Sequence, residues 1–461
     1  MLLKKLIKNL PDEKKNIKVR GIADDSRKIK KGFIFFAIKG NKFNGEKYID
    51  DSIKKGANVI VCSKNFKYEN NKILILKISN PRFFLSKFCS KFYKLKPKNI
   101  IGITGTNGKT SVADLFYQIL SIHKIPVASI GTLGIKFKGK IIKSDLTSPN
   151  TILLHQTLEK LKKNKIDNVI IEASSHGLHQ YRLNHLKFNA GIFTNFSQDH
   201  LDYHKTMQSY LNAKLIFFKN VLSEGKTIIS DKFIKEYPIL KRISQTKKLR
   251  FVDIGKIKEK LIKKNLKLNE FQIKNLSMAI ESAKICKISE KKILNSLTKI
   301  KSVDGRLELV KTFSNNVRVF VDFAHTPDAL KKSLLSLKAQ YKEDVSLVFG
   351  CGGDRDTKKR PFMAKIASSN CKNIYVTDDN PRNERPEKIR AEIIRQIKNK
   401  NFFNIGNRSK AIRAAILNAE PNEIILIAGK GHEQEQIYKN KVILISDKEI
   451  VKNLKVKIKK I

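Results

Sequence analysis

The sequence predicts an α/β protein of three domains, in which a central parallel-sheet domain with a phosphate-binding loop (P-loop) lies between a small α/β domain and a Rossmann-like domain. Three observations support this prediction. The chain has 461 residues, enough for about three domains of ~150 residues each. Apolar runs of strand length alternate with helix-like stretches, a pattern typical of parallel sheets covered by helices. A glycine-rich turn follows the apolar run at 99–104 and leads into an amphipathic helix.

The composition excludes several classes of protein. Hydrophobic residues make up 41% of the chain and aromatic residues 8%, too much for a disordered protein. No apolar run approaches the ~20 residues of a membrane-spanning helix, and lysines interrupt the first apolar stretch before a signal peptide could form. We therefore expect a cytoplasmic protein with no membrane partner. The five cysteines stand singly, without metal-binding spacing, and are interpreted as reduced thiols: Cys62, Cys89, Cys286, Cys351 and Cys371.

The net charge of +52, from 94 Lys and Arg against 42 Asp and Glu, would suit a nucleic-acid partner. The basic residues are spread over the whole chain, however, and they accompany abundant Ile and Asn with no Trp, as expected of an AT-rich genome. This pattern favours compositional drift over specific nucleic-acid binding. The alternative, a lysine-rich nucleic-acid-binding NTPase, would require the basic residues to gather on one face.

The first domain is predicted over residues 1–97. Three apolar runs predict buried strands, and the stretch YIDDSIKKGA between the first two is helix-like. A basic helical segment then ends at Pro97, where we place the boundary. The predicted strands are FIFFAIKG from 33, NVIVCS from 58 and KILILKI from 72.

The second domain is predicted over 98–305 and the third over 306–461. Both alternate strand-like and helix-like segments, which predicts a parallel sheet wrapped by helices in each. The central strands are NIIGITG, VASIGT, NVIIEAS, NAGIFTN and KTIIS; the later strands are VRVFVDFAH, VSLVFGCGG, NIYVTDD, IILIAGKG and VILISD.

The turn after the first central strand has the residue types of a P-loop. Glycines allow the backbone N–H groups to point at phosphate oxygens, Lys109 can reach the terminal phosphates, and the Thr110 hydroxyl can hold Mg²⁺. The spacing misses the usual Walker A pattern by one residue. A lysine-containing turn without a ligand is the alternative. The loop residues are Gly105, Thr106, Asn107, Gly108, Lys109, Thr110 and Ser111.

Polar residues also follow other central strands. Glu172 ends an apolar strand, where it could bind Mg²⁺ or cap a helix. The sequence DHLDYH, residues 199–204, holds two His and two Asp that could bind a metal or cap a helix. A further polar group, Ser174, His176, Gln180 and Arg182, directly follows the strand that contains Glu172.

Four strand ends of the third domain carry polar groups that could converge on one cleft. Any single one of them could instead be a surface turn. The groups are Asp322 with His325, Arg355 after a glycine-rich turn, Asp379 to Arg382 (DNPR), and Gly429 to Glu433 (GKGHE).

Together these strings resemble the Mur ligases, the ATP-dependent amide ligases of peptidoglycan synthesis, over essentially the whole chain. GTNGKTS at 105–111 is similar to that family's variant phosphate loop, and DHLDYH at 199–204 and DFAHTPDAL at 322–330 are similar to its other signatures. The resemblance implies a central P-loop ATPase domain, a first domain that binds a UDP-sugar and a third domain that binds an amino acid.

Within the family, DNPR resembles the branch that adds meso-diaminopimelate to UDP-N-acetylmuramoyl-L-alanyl-D-glutamate through an acyl phosphate. Diaminopimelate has a second carboxylate, which the Arg382 guanidinium could bind in a bidentate manner. A ligase for L-lysine or a folate polyglutamate ligase would retain the ATP loop and change this pocket. DNPR and the first domain favour diaminopimelate.

The resemblance implies site residues. Lys109, Lys214 and His200 are expected to be catalytic, and Lys214 is expected to be carbamylated. Thr110, Glu172, His200 and Lys214 are expected to hold Mg²⁺. ATP would be bound by the phosphate loop, Asp322 and His325. The remaining expected residues are Ser26, Asn41, Lys42, Phe43, Thr147, Ser148, Ser174, Gln180 and Arg182 for UDP-N-acetylmuramoyl-L-alanyl-D-glutamate, and Arg355, Asp379, Asn380, Pro381, Arg382, Gly429 and Glu433 for diaminopimelate.

Two departures from the family pattern are small. Ser148 stands where the family more often has threonine, and Phe323 stands where it has tyrosine. Arg306 matches a family position at the domain hinge and is given no catalytic role. We expect a monomer with no specific nucleic-acid partner.

Overall fold

The computed structural model describes residues 1–8, 10–40, 43–70, 72–266, 268–398 and 401–455. Within these residues, the strands form three main sheets, one in each third of the chain, and a small hairpin. The predicted α/β class with parallel-rich sheets is confirmed. The sheets lie on either side of residues 97–98 and 305–306, where we propose the domain boundaries. No helix among the described residues is both long and apolar enough to cross a membrane.

The first sheet has four parallel strands in sequential order. The N-terminus of helix α2 is capped by Asn80, whose side chain accepts a hydrogen bond from the Phe83 N–H. Pro81 occupies the first helical position. Phe88 of this helix packs edge-on against Phe36 of the sheet, with ring centroids 5.5 Å apart. The elements are β1 (Gly21–Ala23), β2 (Phe33–Phe36), α1 (Ile49–Lys54), β3 (Ala57–Ser63), β4 (Leu74–Ile78) and α2 (Pro81–Phe92).

The central sheet begins with β5 (Asn99–Thr104), which runs directly into the phosphate loop and α3 (Lys109–Ile122). Most of the strands that follow are buried along most of their length, as their continuous apolar runs predict, and β8 and β12 are the exceptions. They are β6 (Val127–Gly131), β7 (Gly134–Phe137), β8 (Lys140–Ile142), β9 (Asn168–Glu172), β10 (Ala190–Phe193), β11 (Thr227–Ser230) and β12 (Arg250–Asp253); the helices are α4 (Thr151–Lys163), α5 (Ser175–His179), α6 (Leu201–His204), α7 (Met207–Ile216), α8 (Tyr237–Thr246), α9 (Gly255–Lys263), α10 (Glu270–Ile285) and α11 (Glu290–Asn295).

The strand order of this sheet is β12-β11-β10-β5-β9-β6-β7-β8. The first six strands are parallel, and β7 and β8 add an antiparallel hairpin at one edge. The predicted parallel sheet thus carries an antiparallel addition at this edge, which the sequence did not indicate. The three residues of β8 are exposed, so the burial that makes central strands apolar is absent there.

The third sheet has the order β13-β14-β18-β15-β16-β17, with β13 antiparallel at its edge. Its elements are β13 (Glu308–Thr312), β14 (Arg318–Asp322), α12 (Pro327–Tyr341), β15 (Val345–Phe349), α13 (Lys359–Asn370), β16 (Ile374–Val376), α14 (Pro386–Ile394), β17 (Phe402–Asn404), α15 (Arg408–Leu417) and β18 (Ile424–Ala428), followed by β19 (Glu435–Tyr438), β20 (Lys441–Leu444) and α16 (Asp447–Asn453).

The run VILISD, predicted as a strand of the third domain, forms β20 and pairs with β19 in the separate hairpin rather than with the main sheet. The last helix is held by a fully buried ion pair, in which Arg408 Nη2 lies 2.7 Å from Asp447 Oδ2. The carboxyl ends of β5 and β9 and those of β14, β15, β16 and β18 face one cleft, as is usual for ligand sites of open α/β sheets.

Candidate active site

A cleft of about 1290 Å³ lies between the central and third sheets. Its walls contain the phosphate loop from residue 106 to 111, the carboxyl end of β9, and four strand ends of the third sheet. Most of the residues predicted for ATP, metal and amino-acid binding therefore line the same cavity: Thr106 to Ser111, Thr147, Glu172, Ser174, His200, Lys214, Asp322, His325, Arg355, Asp379, Asn380, Arg382, Gly429 and Glu433.

The phosphate loop is held in a conformation that requires glycine at two positions. Gly105 has φ +143°, and a Cβ there would approach the Thr194 hydroxyl oxygen to 1.8 Å. Gly108 has φ +85° and directly precedes α3. The carbonyl of Asn107 accepts hydrogen bonds from Thr194 Oγ1 at 2.7 Å and from Asn195 Nδ2 at 3.0 Å. The end of β10 thus fixes the loop.

Two lysines meet at this loop, the buried Lys214 and the half-buried Lys109. Lys109 Nζ donates to the carbonyls of Gly105 at 2.9 Å and Thr106 at 2.7 Å, and Lys214 Nζ donates to the Gly105 carbonyl at 2.7 Å. Burial lowers the pKa of Lys109. Burial and the adjacent Lys109 charge lower the pKa of Lys214 well below its usual range. Both amines donate to the Gly105 carbonyl, so they lie close together and could bind the same ligand at the loop.

Glu172 is the centre of a hydrogen-bond network at the mouth of β9. The Thr110 hydroxyl donates to Glu172 Oε2 at 3.2 Å, and Thr132 donates to the same carboxylate from its N–H at 2.9 Å and from its hydroxyl at 3.1 Å. Thr110 Oγ1 accepts a hydrogen bond from Arg306 Nη2 at 3.1 Å. The hinge arginine thus contacts the phosphate loop, and the Phe323 ring lies 4.3 Å below its guanidinium.

Asp199 joins two histidines from different parts of the chain. Its Oδ2 lies 3.4 Å from His200 Nε2 and 3.5 Å from His325 Nε2. Burial would raise the pKa of Asp199, but His200, His325 and Lys359 hold it well below its usual range. Burial also lowers the pKa of His200 to about 3. The ring of His200 is therefore neutral at neutral pH and retains a lone pair for a ligand.

The donor set fits Mg²⁺ bound together with a nucleotide. Thr110 and Glu172 provide hard oxygen ligands, and Mg²⁺ usually retains waters and takes oxygens from phosphates. Within the part of the chain that the structure describes, no three His, Cys, Asp or Glu side chains gather closely enough to hold a metal on their own. The residues of the DHLDYH segment do not all reach the cleft. Asp199 and His200 line it, whereas His204 does not, and its Nε2 lies 2.9 Å from the Ser175 hydroxyl.

Further contacts join the central domain to the third. Asn107 Nδ2 donates to Asp328 Oδ2 at 3.0 Å, and Gln198 Nε2 donates to Asp356 Oδ2 at 3.1 Å. Nearby, the buried Asp322 accepts a hydrogen bond from the Ser333 hydroxyl at 2.5 Å. The third domain therefore lies directly against the phosphate loop, with α12 beside it.

The predicted amino-acid pocket lies on the third-domain side of the cleft. Arg382 Nη1 donates to the Gly353 carbonyl at 2.8 Å, which aims the guanidinium along the glycine-rich turn after β15. Burial and the neighbouring Arg355 charge lower the pKa of Arg382. Asn380 Nδ2 donates to Glu433 Oε2 at 3.0 Å. The pocket thus holds two arginines that an anionic ligand would stabilise, close to a carboxylate that could bind an amine.

The remaining polar residues after β9 form a second cluster. The Ser148 hydroxyl donates to the Glu172 carbonyl at 2.6 Å and to Ser174 Oγ at 3.0 Å. Arg182 donates to the Ser148 carbonyl at 2.8 Å and to Gln180 Oε1 at 2.7 Å. Of these residues Ser174 lines the cleft, whereas Ser148, Gln180 and Arg182 are not part of its lining.

The first-domain residues are not part of the cleft lining. Ser26 is buried at a short 3₁₀ turn, and the Phe43 side chain is exposed. Asn41 and Lys42 lie outside the described residues. Pro381 is also absent from the lining, although its carbonyl lies 1.9 Å from where a Gly353 side chain would begin.

Sequence reasoning missed three residues that the structure brings to the site: Thr132, Arg306 and Lys359. Thr132 is the last residue of the predicted strand VASIGT, and its position at a strand end was the one feature of the sequence that could have indicated a site residue. Arg306 had a family match at the hinge but no motif around it. Lys359 is one basic residue in the run KKR, and its burial depends on how α13 packs.

Three family descriptions match consecutive parts of the chain. Residues 18–93 match the Mur ligase family catalytic domain, residues 103–300 match the Mur ligase middle domain, and residues 305–431 match the Mur ligase glutamate ligase domain.

Similar proteins cover almost the whole chain. The UDP-N-acetylmuramoyl-L-alanyl-D-glutamate–2,6-diaminopimelate ligase of Rickettsia bellii is 39% identical over 95% of this chain and 96% of its own. The enzyme of the same name from Brucella melitensis is 35% identical over 95% and 94%. A solved structure of a ligase of that name superposes with a TM-score of 0.66 and 25% identity over 98% of both chains.

Proposed function

The chain belongs to the Mur ligase family, and we propose that it joins 2,6-diaminopimelate to the D-glutamyl residue of UDP-N-acetylmuramoyl-L-alanyl-D-glutamate in peptidoglycan precursor synthesis. The proposal rests on similarity, over nearly the full chain, to UDP-N-acetylmuramoyl-L-alanyl-D-glutamate–2,6-diaminopimelate ligases. The cleft supports it, since a phosphate loop and an arginine-containing amino-acid pocket line one cavity.

The nucleotide side would bind ATP. The loop from Gly105 to Ser111 offers N–H groups and the α3 N-terminus to phosphate oxygens. Asp322 and His325 line the facing wall from the third domain. When bound, Mg²⁺ would offset the charge of the transferring phosphoryl group. Thr110, Glu172, His200 and a carbamylated Lys214 would hold it.

The burial of Lys214 supports its carbamylation. An amine must be neutral to attack CO₂, and burial with the neighbouring Lys109 charge lowers the pKa of Lys214 well below its usual range. Carbamylation would replace a cation by an anionic oxygen ligand. The modified side chain would then be one of the groups that orient the phosphates.

The reaction would proceed in two steps. The D-glutamyl carboxylate attacks the γ-phosphorus of ATP and ADP leaves with the electron pair of the broken bond, giving an acyl phosphate. The neutral amine of diaminopimelate then attacks the acyl carbon, phosphate leaves the tetrahedral intermediate with the electron pair of the broken C–O bond, and the nitrogen releases a proton to solvent. Lys109 and Arg306 would stabilise the phosphoryl charge. The contacts of Asn107 and Thr110 with the third domain would help exclude water that hydrolyses the acyl phosphate.

The pocket residues would select diaminopimelate. Arg355 and Arg382 would bind its carboxylates, and Glu433, with Asp379 and Asn380 beside it, would bind its distal amine. Pro381 and Gly429 would shape the backbone of the pocket. The serine–arginine cluster of Ser148, Ser174, Gln180 and Arg182, with Thr147, would bind the dipeptide, and Ser26, Asn41, Lys42 and Phe43 the nucleotide-sugar end.

Residues from one chain line both the nucleotide side and the amino-acid side of the cleft. We therefore propose that a monomer carries out the reaction. Because the proposed reaction consumes ATP, a cytoplasmic nucleotide, we propose that it takes place in the cytoplasm.

The test is phosphate release with ATP, Mg²⁺ and UDP-N-acetylmuramoyl-L-alanyl-D-glutamate, compared with meso-diaminopimelate, L-lysine and no amine. We expect release that depends on diaminopimelate, with a tripeptide product by mass. Release with lysine instead would be consistent with a Mur ligase but would contradict diaminopimelate as the substrate. Lys109→Ala should abolish release while the far-UV circular dichroism stays unchanged.

A further inference from the structure

Lys359 is a buried cation that faces the cleft without a carboxylate partner. It is the first residue of α13, it is 5% exposed, and it lines the cleft beside Cys351 and Arg355. Among the described residues, no hydrogen bond or ion pair involves its ammonium group, which retains some solvent contact within the cleft. Lysine is almost never buried unless it is paired, because removing an ammonium group from water is costly. An anionic ligand in the cleft would provide the missing partner.

The position of Lys359 in its helix also argues against a structural role. The N-terminus of a helix carries partial positive charge, and the first turn of α13 contains no acidic residue. The adjacent Arg360 is already paired, at 2.9 Å with Glu384 and at 2.7 Å with Glu392. An anion bound here would be attracted by the Lys359 amine and by the free N–H groups of the helix end.

Lys359 lies between the nucleotide side and the amino-acid side of the cleft. On the central-domain side, it lines the same cleft as Asp199 and His200. It also opposes the rise that burial causes in the pKa of the Cys351 thiol, at the end of β15. The amine is therefore close to both walls, where the reacting carboxylate and phosphate must meet.

Apart from the exposed Lys299 and Lys301, the other cations of the cleft already have roles or partners. Lys109 and Lys214 donate to carbonyls of the phosphate loop. Diaminopimelate has two carboxylates, and Arg355 and Arg382 are proposed to bind one each. Lys359 would join Lys109 and Arg306 at the phosphoryl group, whose negative charge is the third large charge that the cleft must accommodate.

We propose that Lys359 is a catalytic residue that binds the phosphoryl group as it passes from ATP to the D-glutamyl carboxylate. This inference rests on the proposed function. As the carboxylate oxygen bonds to phosphorus, the bond from phosphorus to the ADP oxygen breaks and ADP takes the electron pair. Lys359 keeps its proton and stabilises the nonbridging oxygens, first in the transfer and then in the acyl phosphate.

The experiment measures acyl-phosphate formation directly in the full-length enzyme. With ATP, Mg²⁺ and UDP-N-acetylmuramoyl-L-alanyl-D-glutamate but no amine, reversible transfer scrambles ¹⁸O between the bridging and nonbridging β,γ positions of labelled ATP. We expect Lys359→Met to slow scrambling, and the kcat of ligation, by about 100-fold. Lys359→Arg should retain most of the rate. The exposed neighbour Lys358 provides the control Lys358→Met, which should behave as wild type.

Stability and substrate affinity separate this role from the alternatives. Because the unpaired ammonium is costly to bury, unliganded Lys359→Met should unfold at the same urea concentration as wild type or a higher one. A lower midpoint with wild-type scrambling would make Lys359 structural and overturn the inference. Wild-type scrambling with a raised KM for diaminopimelate would place Lys359 in the amino-acid pocket and also overturn it.

The result for the wild-type enzyme distinguishes this inference from the proposed function. A wild-type protein that neither scrambles nor ligates would contradict the function itself. A wild-type protein that ligates, beside a Lys359→Met variant that ligates equally well, would contradict the role of Lys359 alone.

Discussion

Arg306 and Thr110 are joined by a hydrogen bond of 3.1 Å, from the guanidinium of the domain hinge to the hydroxyl of the phosphate loop. Thr110 in turn donates to Glu172, so the hinge, the loop and the proposed metal carboxylate form one chain of contacts. A change in the hinge that moved Arg306 would therefore disturb the proposed ATP and metal site.

Replacing Arg306 by alanine is expected to lower kcat by about 10²-fold, the usual effect of losing one donor that stabilises transition-state charge. The KM for diaminopimelate should change less than kcat, since Arg306 donates to Thr110 of the phosphate loop rather than to a pocket residue. Steady-state kinetics with each substrate varied would check this. Arg306→Lys, which keeps the charge but loses the fork of donors, should recover part of kcat; an unchanged kcat in Arg306→Ala would remove Arg306 from the site.

Replacing Arg382 by alanine should reduce the preference for diaminopimelate over L-lysine by roughly 1–3 kcal/mol, the scale of a charged hydrogen bond. The ratio of kcat/KM for the two amino acids measures this preference. Arg385, an exposed arginine of the same segment, offers a matched control in Arg385→Ala. A preference that survives in Arg382→Ala would show that another group binds the second carboxylate.

Carbamylation of Lys214 should make activity depend on dissolved CO₂, because the depressed pKa of Lys214 leaves a neutral amine able to attack it. We expect phosphate release to fall in CO₂-free buffer and to return on addition of bicarbonate. A ¹³C carbamate resonance should appear with labelled bicarbonate in wild type and be missing in Lys214→Ala. The exposed Lys219 gives the control variant Lys219→Ala, which should keep the resonance.

His155 should make the protein less stable in acid. It is fully buried with neither ring nitrogen hydrogen-bonded, and burial, with the charges of Lys96 and His185, lowers its pKa to about 3. Between its unfolded pKa near 6.5 and about 3, the unfolded state binds a proton that the folded state does not. Stability is therefore lost as the pH falls through this window, by up to about 1.4 kcal/mol per pH unit for one such group.

The variant His155→Leu should remove this contribution, so its stability relative to wild type should grow as the pH is lowered from 7 to 4. Urea unfolding at several pH values measures the difference. A constant difference across this range would mean that His155 is protonated in the folded state.

The ion pair of Arg408 and Asp447 is the most deeply buried in the third domain, with both side chains fully inaccessible. Asp447→Ala should destabilise the protein by about 3–5 kcal/mol, because it leaves an uncompensated guanidinium in the core. The double variant Arg408→Met with Asp447→Leu should recover most of that loss, since it removes both charges. Urea unfolding of the single and double variants measures this, and an equal loss in both would indicate that packing, not charge, is responsible.

The sequence by itself determined the α/β class and most of the buried strands, since strands covered on both faces must be apolar along their length. It missed β1, β12, β13, β17 and the β7–β8 hairpin, which lie at sheet edges where that requirement is relaxed. The run that became β20 has the same apolar pattern as a core strand, yet it is exposed and pairs only within its hairpin.

The sequence also determined the phosphate loop, because Gly105, Gly108 and Lys109 are local requirements of backbone conformation and charge. Tertiary structure alone decided that Thr132, Arg306 and Lys359 reach the same cleft, and that Lys214 is buried against the Gly105 carbonyl. Burial and pairing of a charged side chain depend on residues distant in the chain. In a sequence with 94 lysines and arginines, the packing of the domains therefore distinguishes a buried, unpaired amine from a solvated one.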